Sequence, residues 1–310
     1  MSQAKVILLC GGRLAIPILR ILFFNKQLAV VAIPDHCTVF MQQVNLLLKG
    51  AAIPIVTVTK KDYTEQLQKA IKKYEANMGI MAAFSFKISP AVFCLTNKGF
   101  FNVHPGLLPQ YRGPDPVFQQ LKNKDTFAGI TIHKVDKDFD TGHIVLTEKI
   151  KIQTTDTHGI LTTRLSELAA KQVDILLKMA TFDIDIPSRS QDESKAVYFK
   201  KQAATEVTIN WKTMDAATIV ALANACNPWN KGAVTQLNGI VVRLLGVEKL
   251  TEQAQKENVP ATILAIENGS ITVATINTGL LAISIISVDE GILKASMLAK
   301  MGINVGMRFQ

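Results

Sequence analysis

The sequence predicts two domains, an α/β domain with a doubly wound, mostly parallel sheet and then a small open β-barrel. Over the first half of the chain, short apolar runs alternate with helix-like runs, as in parallel α/β sheets. After a polar stretch, several short strand-like runs follow, separated by Gly, Asn and Pro. The chain has 310 residues, which is enough for two cores. We therefore place the domains at 1–186 and 206–310, joined by a linker at 187–205.

The first domain begins with five short apolar runs that we interpret as buried strands, at 5–9, 28–33, 53–58, 78–84 and 99–103. Gly11 and Gly12 form a tight turn into an apolar helix that runs to Leu22. Further helix-like runs occupy 39–49 and 59–74, and the second of these is amphipathic. In such sheets ligands bind outside the carboxyl ends of the strands, so the end of the fifth strand is a candidate site.

The rest of the chain is predicted from the same periodicities. Alternating residues at 131–135 and 144–152 indicate a pair of strands, and an amphipathic helix follows at 160–179. The linker is polar and contains Pro187, Ser188 and Ser190. The second domain starts with a helix-like run to 225, and its strands are predicted at 232–236, 240–247, 261–266, 270–274 and 280–286.

Composition narrows the functional classes. Hydrophobic residues make up 48% of the chain, which excludes a mostly disordered protein. No apolar run reaches the ~18 residues of a membrane span, and the start lacks a signal-peptide pattern, so we expect a cytoplasmic protein without a membrane partner. The four cysteines are scattered without metal-ligand spacing, so we expect no metal and three reduced core cysteines. The net charge of +9 favours an anionic partner or reflects ordinary solubility, since no block of five basic residues occurs.

The stretch from Phe100 to Val145 carries the candidate chemistry. Asn102 and His104 are two positions apart, so on a strand their side chains lie on the same face. An amide donor beside an imidazole suits acyl transfer, in which an oxyanion develops and a proton moves. Asp140 adds a carboxylate near the end of another strand-like run. The prolines that follow His104 force the chain out of the strand.

This pattern resembles the signature of the 10-formyltetrahydrofolate-dependent formyltransferases, which is N-x-H-x-S-L-L-P, an aromatic residue before R-G, then G-x-T-x-H and D-x-G. So many ordered matches over some forty residues are more specific than a lone glycine motif. One position departs from the pattern, because Gly106 stands where the family usually has Ser. The matching residues are Asn102, His104, Leu107, Leu108, Pro109, Tyr111, Arg112, Gly113, Gly129, Thr131, His133, Asp140, Thr141 and Gly142.

The resemblance implies a Rossmann-like catalytic domain, 10-formyltetrahydrofolate as formyl donor, and catalytic roles for Asn102, His104 and Asp140. A protonated His104 and the Asn102 amide would stabilise the developing oxyanion. Asp140 would orient the imidazole and keep it charged, or would accept the amine's proton through water. Without the resemblance, His104 would be a turn histidine and Asp140 an Asx-turn residue. His133 is interpreted as structural.

Two segments resemble the family's folate-binding regions. The first is 81–88, which corresponds to the lining of the pterin site, and the second is 135–140, whose backbone would bind the pterin edge. For Phe84 and Phe86 the alternative is plain core packing. The implied cofactor-binding residues are Met81, Ala83, Phe84, Phe86, Ile88, Val135, Asp136 and Phe139.

Candidate contacts to the acceptor are Arg13, Tyr111, Arg112 and Gly113. Arg13 follows the first glycine turn, which lies near the acceptor site in the family. Arg112 would bind an acceptor phosphate through its planar guanidinium, or would pair with a surface carboxylate. The second domain resembles the carboxy-terminal domain of methionyl-tRNA formyltransferase, an open barrel of the oligonucleotide-binding type, through I-N-W, N-P-W and P-A-T-I-L.

The acceptor amine stays open between methionyl-tRNA and an amino-sugar nucleotide such as UDP-4-amino-4-deoxy-L-arabinose. Domain order and charge favour tRNA, whereas the short, non-basic segment from Pro34 to Thr38 favours the sugar nucleotide. Three other functions compete. A 10-formyltetrahydrofolate hydrolase would use the same site, a non-catalytic folate- or RNA-binding protein would keep only the pocket, and a nicotinamide-dependent oxidoreductase would need the absent G-x-G-x-x-G. The sequence makes no prediction of the oligomeric state.

Overall fold

The computed structural model describes residues 3–267 and 269–310, which divide into two compact units. The first unit contains the chain up to Pro116, then Phe127–Lys151 and Thr162–Phe199. The second contains Val117–Thr126, Ile152–Leu161 and Lys200–Gln310. Residues 187–199 of the predicted linker are thus part of the first unit.

A seven-stranded sheet forms the core of the first unit, in the order β3-β2-β1-β4-β5-β6-β7. Its strands are β1 (Val6–Cys10), β2 (Leu28–Pro34), β3 (Ile55–Val58), β4 (Met78–Ala82), β5 (Phe100–His104), β6 (Phe127–Lys134) and β7 (Ile144–Lys151). The first five strands are parallel, and β6 and β7 are antiparallel to their neighbours. Strands β1, β4 and β5 are buried along their whole length, which explains their uninterrupted apolar sequences. The predicted doubly wound, mostly parallel sheet is confirmed.

The α-helices are α1 (Ile16–Phe24), α2 (Thr38–Leu47), α3 (Tyr63–Lys73), α4 (Pro90–Phe93), α5 (Pro116–Lys122), α6 (His158–Thr181) and α7 (Ala216–Cys226). Helix α3 illustrates how the sequence places them. It buries Leu67, Ala70 and Ile71 at helical spacing and exposes its charged face. An acidic residue in its first turn and lysines in its last turn complement the helix dipole. The short helices α4 and α5 were not predicted, because four and seven residues are too few for a clear period.

An antiparallel sheet forms the second unit, in the order β10-β11-β12-β9-β8 with β13 paired to β12. Its strands are β8 (Ala233–Leu237), β9 (Ile240–Lys249), β10 (Ile263–Glu267), β11 (Ser270–Ala274), β12 (Leu280–Val288) and β13 (Gly291–Lys294). The last residues connect its two edges, because Phe309 bridges to Leu237 of β8 and Arg308 bridges to Thr262 just before β10. In the core, Trp211 stacks on Phe309 and donates its indole N–H to Thr235 Oγ1 at 2.8 Å. The antiparallel domain is therefore confirmed, although β13 was not predicted.

Two other expectations concern cysteines and membranes. All four cysteines are free, but the structure buries only Cys10 and Cys226, while Cys37 is half-buried and Cys94 is exposed. The prediction of three core cysteines is therefore wrong by one. Within 3–267 and 269–310, no helix has both the length and the apolar character needed to cross a bilayer.

Candidate active site

Strand β5 and its neighbour β6 place four polar side chains on one face of the sheet. Asn102 lies opposite His133, and His104 lies opposite Thr131. Cross-strand partners share a face, as do residues two positions apart. All four side chains are buried among the apolar residues of the sheet. The period-two argument from the sequence thus correctly placed Asn102 and His104 on the same face.

Asp140 connects this group from the loop before β7. Its Oδ1 lies 3.6 Å from His104 Nδ1 and accepts a hydrogen bond from Asn102 Nδ2 at 3.3 Å. Its Oδ2 accepts the backbone N–H of Gly113 at 3.0 Å. The backbone of Asp140 has a φ of +57°, an unfavourable value for a residue other than Gly, which turns the carboxylate toward the sheet. The structure brings together the three residues proposed as catalytic.

His104 is held from both sides. Its Nε2 lies 2.5 Å from the carbonyl oxygen of Tyr111, so Nε2 carries the proton and donates it. Burial lowers the pKa of His104, and nearby His133 acts in the same direction, whereas Asp140 and the Tyr111 carbonyl oppose the shift. The neutral imidazole is therefore favoured in the resting site, which differs from the protonated form expected from the sequence. In the neutral form the lone pair is on Nδ1, on the side of Asp140.

Asp140 stays ionised. Burial by itself would raise the pKa of Asp140, but attraction to the His104 and His133 rings when they are protonated, together with the Gly113 N–H, outweighs it and holds the pKa well below its usual range. The carboxylate is only 8% exposed. It therefore provides a fixed negative charge beside His104 Nδ1, where a proton can be taken up.

His133 positions the amide of Asn102. Its Nδ1 donates to the carbonyl oxygen of Lys134 at 2.9 Å, which leaves Nε2 as an acceptor for Asn102 Nδ2 at 3.1 Å. One N–H of the Asn102 amide is thus directed to His133 and the other to Asp140. Sequence reasoning assigned His133 a structural role, and the position of this histidine in the G-x-T-x-H pattern was the available signal for its contact with Asn102.

Arg112 is buried, and its guanidinium forms hydrogen bonds with three side chains. It is 1% exposed, and its guanidinium donates to Gln191 Oε1 at 2.8 and 3.1 Å, to Glu193 at 2.6 and 2.9 Å, and to Tyr198 Oη at 2.8 Å. Gln191 in turn donates to the carbonyl oxygens of Asp140 and Gly142 at 2.7 and 2.8 Å. Of the two alternatives drawn from the sequence, pairing with a carboxylate is the one observed. Sequence reasoning missed Gln191, which lies in the predicted linker.

The loop after β5 is fixed by Thr131 and Gly106. Thr131 Oγ1 donates to the carbonyl oxygen of Gly106 at 2.7 Å and accepts the N–H of Leu108 at 3.2 Å. A Cβ on Gly106 would lie 2.9 Å from both His104 Nε2 and Tyr111 Cβ. Glycine therefore permits the close approach of the Tyr111 carbonyl to His104. A Ser at this position would require one of these groups to move.

The two segments proposed to bind the folate lie next to each other. Met81, Phe84 and Ile88 are buried in one hydrophobic cluster, and Phe86 and Val135 pack against it. Phe84 therefore packs in the core, which was the alternative to folate binding considered for this residue from the sequence. Ala83, Asp136 and Phe139 are exposed, and Ala83 has a φ of +54°. Lys87 connects the two segments through an ion pair of 3.1 Å with Asp138.

The proposed acceptor contacts have different environments. Arg13 is exposed just beyond the carboxyl end of β1. The ring of Tyr111 stacks on Phe199 at 5.5 Å between centroids. Gly113 has a φ of +116°, and a Cβ there would lie 2.2 Å from the carbonyl oxygen of Phe199, so glycine is required by the backbone. Among the residues that the structure describes, no group of three His, Cys, Asp or Glu side chains could hold a metal ion.

Comparison with known proteins agrees with the fold. Residues 32–175 match the profile of the formyl transferase family, and residues 201–300 match that of its C-terminal domain. The methionyl-tRNA formyltransferase of Marinobacter nauticus is 31% identical over 221 residues, covering 71% of this chain and 69% of the relative. That of Stenotrophomonas maltophilia is 29% identical over 210 residues, covering 68% and 67%.

Among solved structures, WlaRD, a sugar 3N-formyl transferase crystallised in the presence of dTDP and 5-N-formyl-THF, has a similar fold. The TM-score is 0.69 at 17% identity, covering 91% of this chain and 98% of WlaRD. The two-domain fold and the sequence matches over both domains define an enzyme of the formyl-transferring class. The chain belongs to the formyltransferase family.

Proposed function

We propose that this protein transfers the formyl group of 10-formyltetrahydrofolate to a primary amine on an anionic acceptor. The observation that carries the proposal is the buried cluster of Asn102, His104 and Asp140 at the carboxyl end of β5. It places a neutral imidazole and an amide donor each within 3.6 Å of one fixed carboxylate oxygen. These are the groups that amine attack on a formyl carbon needs.

The residues proposed to hold the folate fit a flat, polar-edged ring. The side chains of Phe86 and Val135 offer an apolar surface continuous with the core cluster. In the described part of the chain, the amide N–H groups of Asp138 and Phe139 have no acceptor, so they are available to ring heteroatoms. When bound, 10-formyltetrahydrofolate would supply the activated formyl carbon and the leaving nitrogen.

The chain's own groups would move the proton and stabilise charge. His104 Nδ1 accepts a proton from the attacking amine, and the resulting imidazolium is stabilised by Asp140 on one side and by the Tyr111 carbonyl on the other. The proton then passes to the leaving nitrogen as the new C–N bond forms and the old one breaks, so His104 ends neutral again. Asn102 gives up its longer hydrogen bond, the one to Asp140, and donates that N–H to the oxyanion instead.

Methionyl-tRNA as acceptor is supported by the relatives and by charge. The curated relatives described above are methionyl-tRNA formyltransferases, and the similarity extends into the second domain, which matches the C-terminal profile. The net charge of +9 suits a polyanionic acceptor.

An amino-sugar nucleotide as acceptor is supported by the connection after β2. Only Asp35, His36 and Cys37 lie between β2 and α2, and none of them is a lysine or arginine. This connection provides no basic surface for a nucleic-acid backbone. WlaRD, which was crystallised with dTDP, shares the fold over nearly its whole length.

One assay tests the proposal and separates the acceptors. Purified protein is incubated with 10-formyltetrahydrofolate and charged initiator tRNA, a panel of amino-sugar nucleotides, or no acceptor, and formylated product and tetrahydrofolate are quantified. Amine-dependent turnover that His104→Ala abolishes supports the proposal, and the productive acceptor identifies the function. Turnover without acceptor identifies a hydrolase, and the absence of turnover with every amine contradicts the transferase.

A further inference from the structure

A cavity of about 370 Å³ lies in the first unit, beside the catalytic cluster but not part of it. Its walls come from the Leu107–Tyr111 segment, from β7 and from residues 189–195. Leu108 and Ile144, both buried, form an apolar floor. The volume is within the range of ligand sites for small organic molecules.

The sheet register places this cavity relative to His104. Thr131 of β6 lies opposite His104 on one side and opposite Thr147 of β7 on the other, so all three share a face. Two strand spacings, roughly 10 Å, therefore separate His104 from Thr147. Tyr111 connects the two places, because it lines the cavity while its carbonyl oxygen accepts a hydrogen bond from His104.

The charge at the cavity is positive. Lys149, Arg189 and Lys195 line it together with one carboxylate, Asp192. Lys195 and Asp192 neutralise each other through an ion pair of 2.9 Å. Across the described residues, the side chains of Lys149 and Arg189 have no ion-pair or hydrogen-bond partner, so two positive charges remain uncompensated.

A buried hydroxyl points to the same ligand chemistry. Thr147 Oγ1 is buried and has no hydrogen-bond partner among the described residues. Such groups are normally satisfied, and because the Thr147 side chain lines the cavity, a rotation about its χ1 angle would bring this hydroxyl to a polar ligand there. Two free cations and a hydroxyl above an apolar floor match a phosphate joined to a sugar or another small organic group.

We propose that this cavity binds a phosphate-bearing ligand, with Arg189 and Lys149 contacting the phosphate and Thr147 donating its hydroxyl. The phosphate could come from the acceptor itself, and this source alone rests on the proposed function. A free phosphate or nucleotide, bound separately from the acceptor, is the second source. In both cases the ligand would lie against the Tyr111 segment that orients His104.

Direct binding tests the proposal without requiring turnover. Inorganic phosphate and UDP are titrated into the full-length protein by calorimetry at low ionic strength. Arg189→Gln should weaken binding roughly tenfold, as expected for the loss of one charge-assisted hydrogen bond, whereas Arg189→Lys should retain most of the affinity. The backbone of residue 189 pairs with Ile144 and is unaffected by these changes. The matched control is Lys171→Gln, which removes one exposed charge on α6, outside the cavity.

Two results would overturn the proposal. The first is that neither probe binds to the wild-type protein at millimolar concentration. The second is that Arg189→Gln and Lys171→Gln weaken binding equally. If Arg189→Gln fails to fold in a thermal melt, Thr147→Val takes its place, and unchanged UDP binding in that variant counts against the site. A protein that binds UDP at Arg189 but transfers no formyl group would contradict the proposed function and still support the cavity.

Kinetics then assign the source of the phosphate. Added phosphate that raises the KM of the acceptor without changing kcat would mean that the acceptor's own phosphate occupies the cavity. Added phosphate that changes kcat at saturating acceptor would mean a separate ligand acting through the Tyr111 segment. Both results support phosphate binding and differ only in the ligand's origin.

Discussion

Replacing Arg112 with Met tests which of two roles this residue has. It either pairs with a carboxylate and supports the structure, or binds a phosphate of the acceptor. In the structure the guanidinium holds Gln191, and Gln191 holds the backbone of Asp140 and Gly142. Arg112→Met keeps much of the aliphatic bulk but removes every side-chain donor. If the structural role is correct, the first unit loses stability and Asp140 loses its support, so both folding and turnover should suffer.

The magnitude follows from the burial of each partner. Gln191 Oε1 is buried and would lose both of its donors, which costs about 1–3 kcal/mol. Glu193 is 68% exposed, so the loss of its ion pair adds only ~0–1 kcal/mol. We expect a loss of about 2–3 kcal/mol of unfolding free energy and a fall in kcat/KM of at least about tenfold. The matched control, Glu193→Gln, should cost at most ~1 kcal/mol.

Urea unfolding followed by far-UV circular dichroism measures this effect. Both tryptophans, Trp211 and Trp229, belong to the second unit, so their fluorescence follows that unit and serves as an internal reference. A different outcome would refute the reasoning: unchanged stability together with a raised KM for the acceptor alone. That result would mean that Arg112 contacts the acceptor phosphate in the working enzyme.

The remaining predictions concern catalysis and the chain after α6. His104→Ala should lower kcat at least ~10²-fold with little loss of folate affinity, and unchanged turnover would contradict the assigned role. Asp140→Asn should be similarly damaging, and a wild-type pH–rate profile in that variant would count against it. A fragment ending at Phe199 should melt at a higher temperature than one ending at Ser190, because only the longer one keeps the partners of Arg112; equal melting temperatures would show that these contacts add nothing.

The parallel strands and the shared face of Asn102 and His104 were predictable because they depend on local pattern. A buried parallel strand needs a continuous apolar run, and residues two positions apart share a face whatever the partner strand. β5 satisfies both conditions within five residues. No long-range information is needed to place its two polar side chains together at a strand end.

The surroundings of that pair were less predictable because they depend on distant parts of the chain. The contact of Asp140 with the pair requires a left-handed backbone at a residue other than Gly, and only the family resemblance indicated it. Gln191 lies in a polar segment whose composition is typical of a linker, yet it reaches two carbonyl oxygens next to the site. The contact between His133 and Asn102 depends on β6 pairing antiparallel to β5, at the point where the run of parallel strands ends.

The lowered pKa of His104 makes a prediction for the pH dependence of turnover. The proposed mechanism uses the neutral imidazole, and burial moves its pKa below the ordinary value of 6.5. kcat/KM should therefore be independent of His104 ionisation above pH 6.5 and should fall only as the pH drops through the lowered pKa. A fall in kcat/KM that begins above pH 7 would mean that His104 already becomes protonated near neutrality. That result would contradict a pKa lowered by burial.

The same shift links folding stability to pH, with a definite sign. The unfolded chain takes up a proton at His104 near pH 6.5, whereas the folded chain takes it up only at lower pH, so between these values the unfolded state binds more protons. The wild-type protein should therefore lose stability relative to His104→Gln as the pH falls from 7.5 to 5.5, with a slope of at most about 1.4 kcal/mol per pH unit for one proton. Titrating groups that do not contact His104 are common to both proteins and cancel in the difference. Parallel stability curves would mean that the imidazole keeps an ordinary pKa, and that the charges of Asp140 and the Tyr111 carbonyl offset its burial.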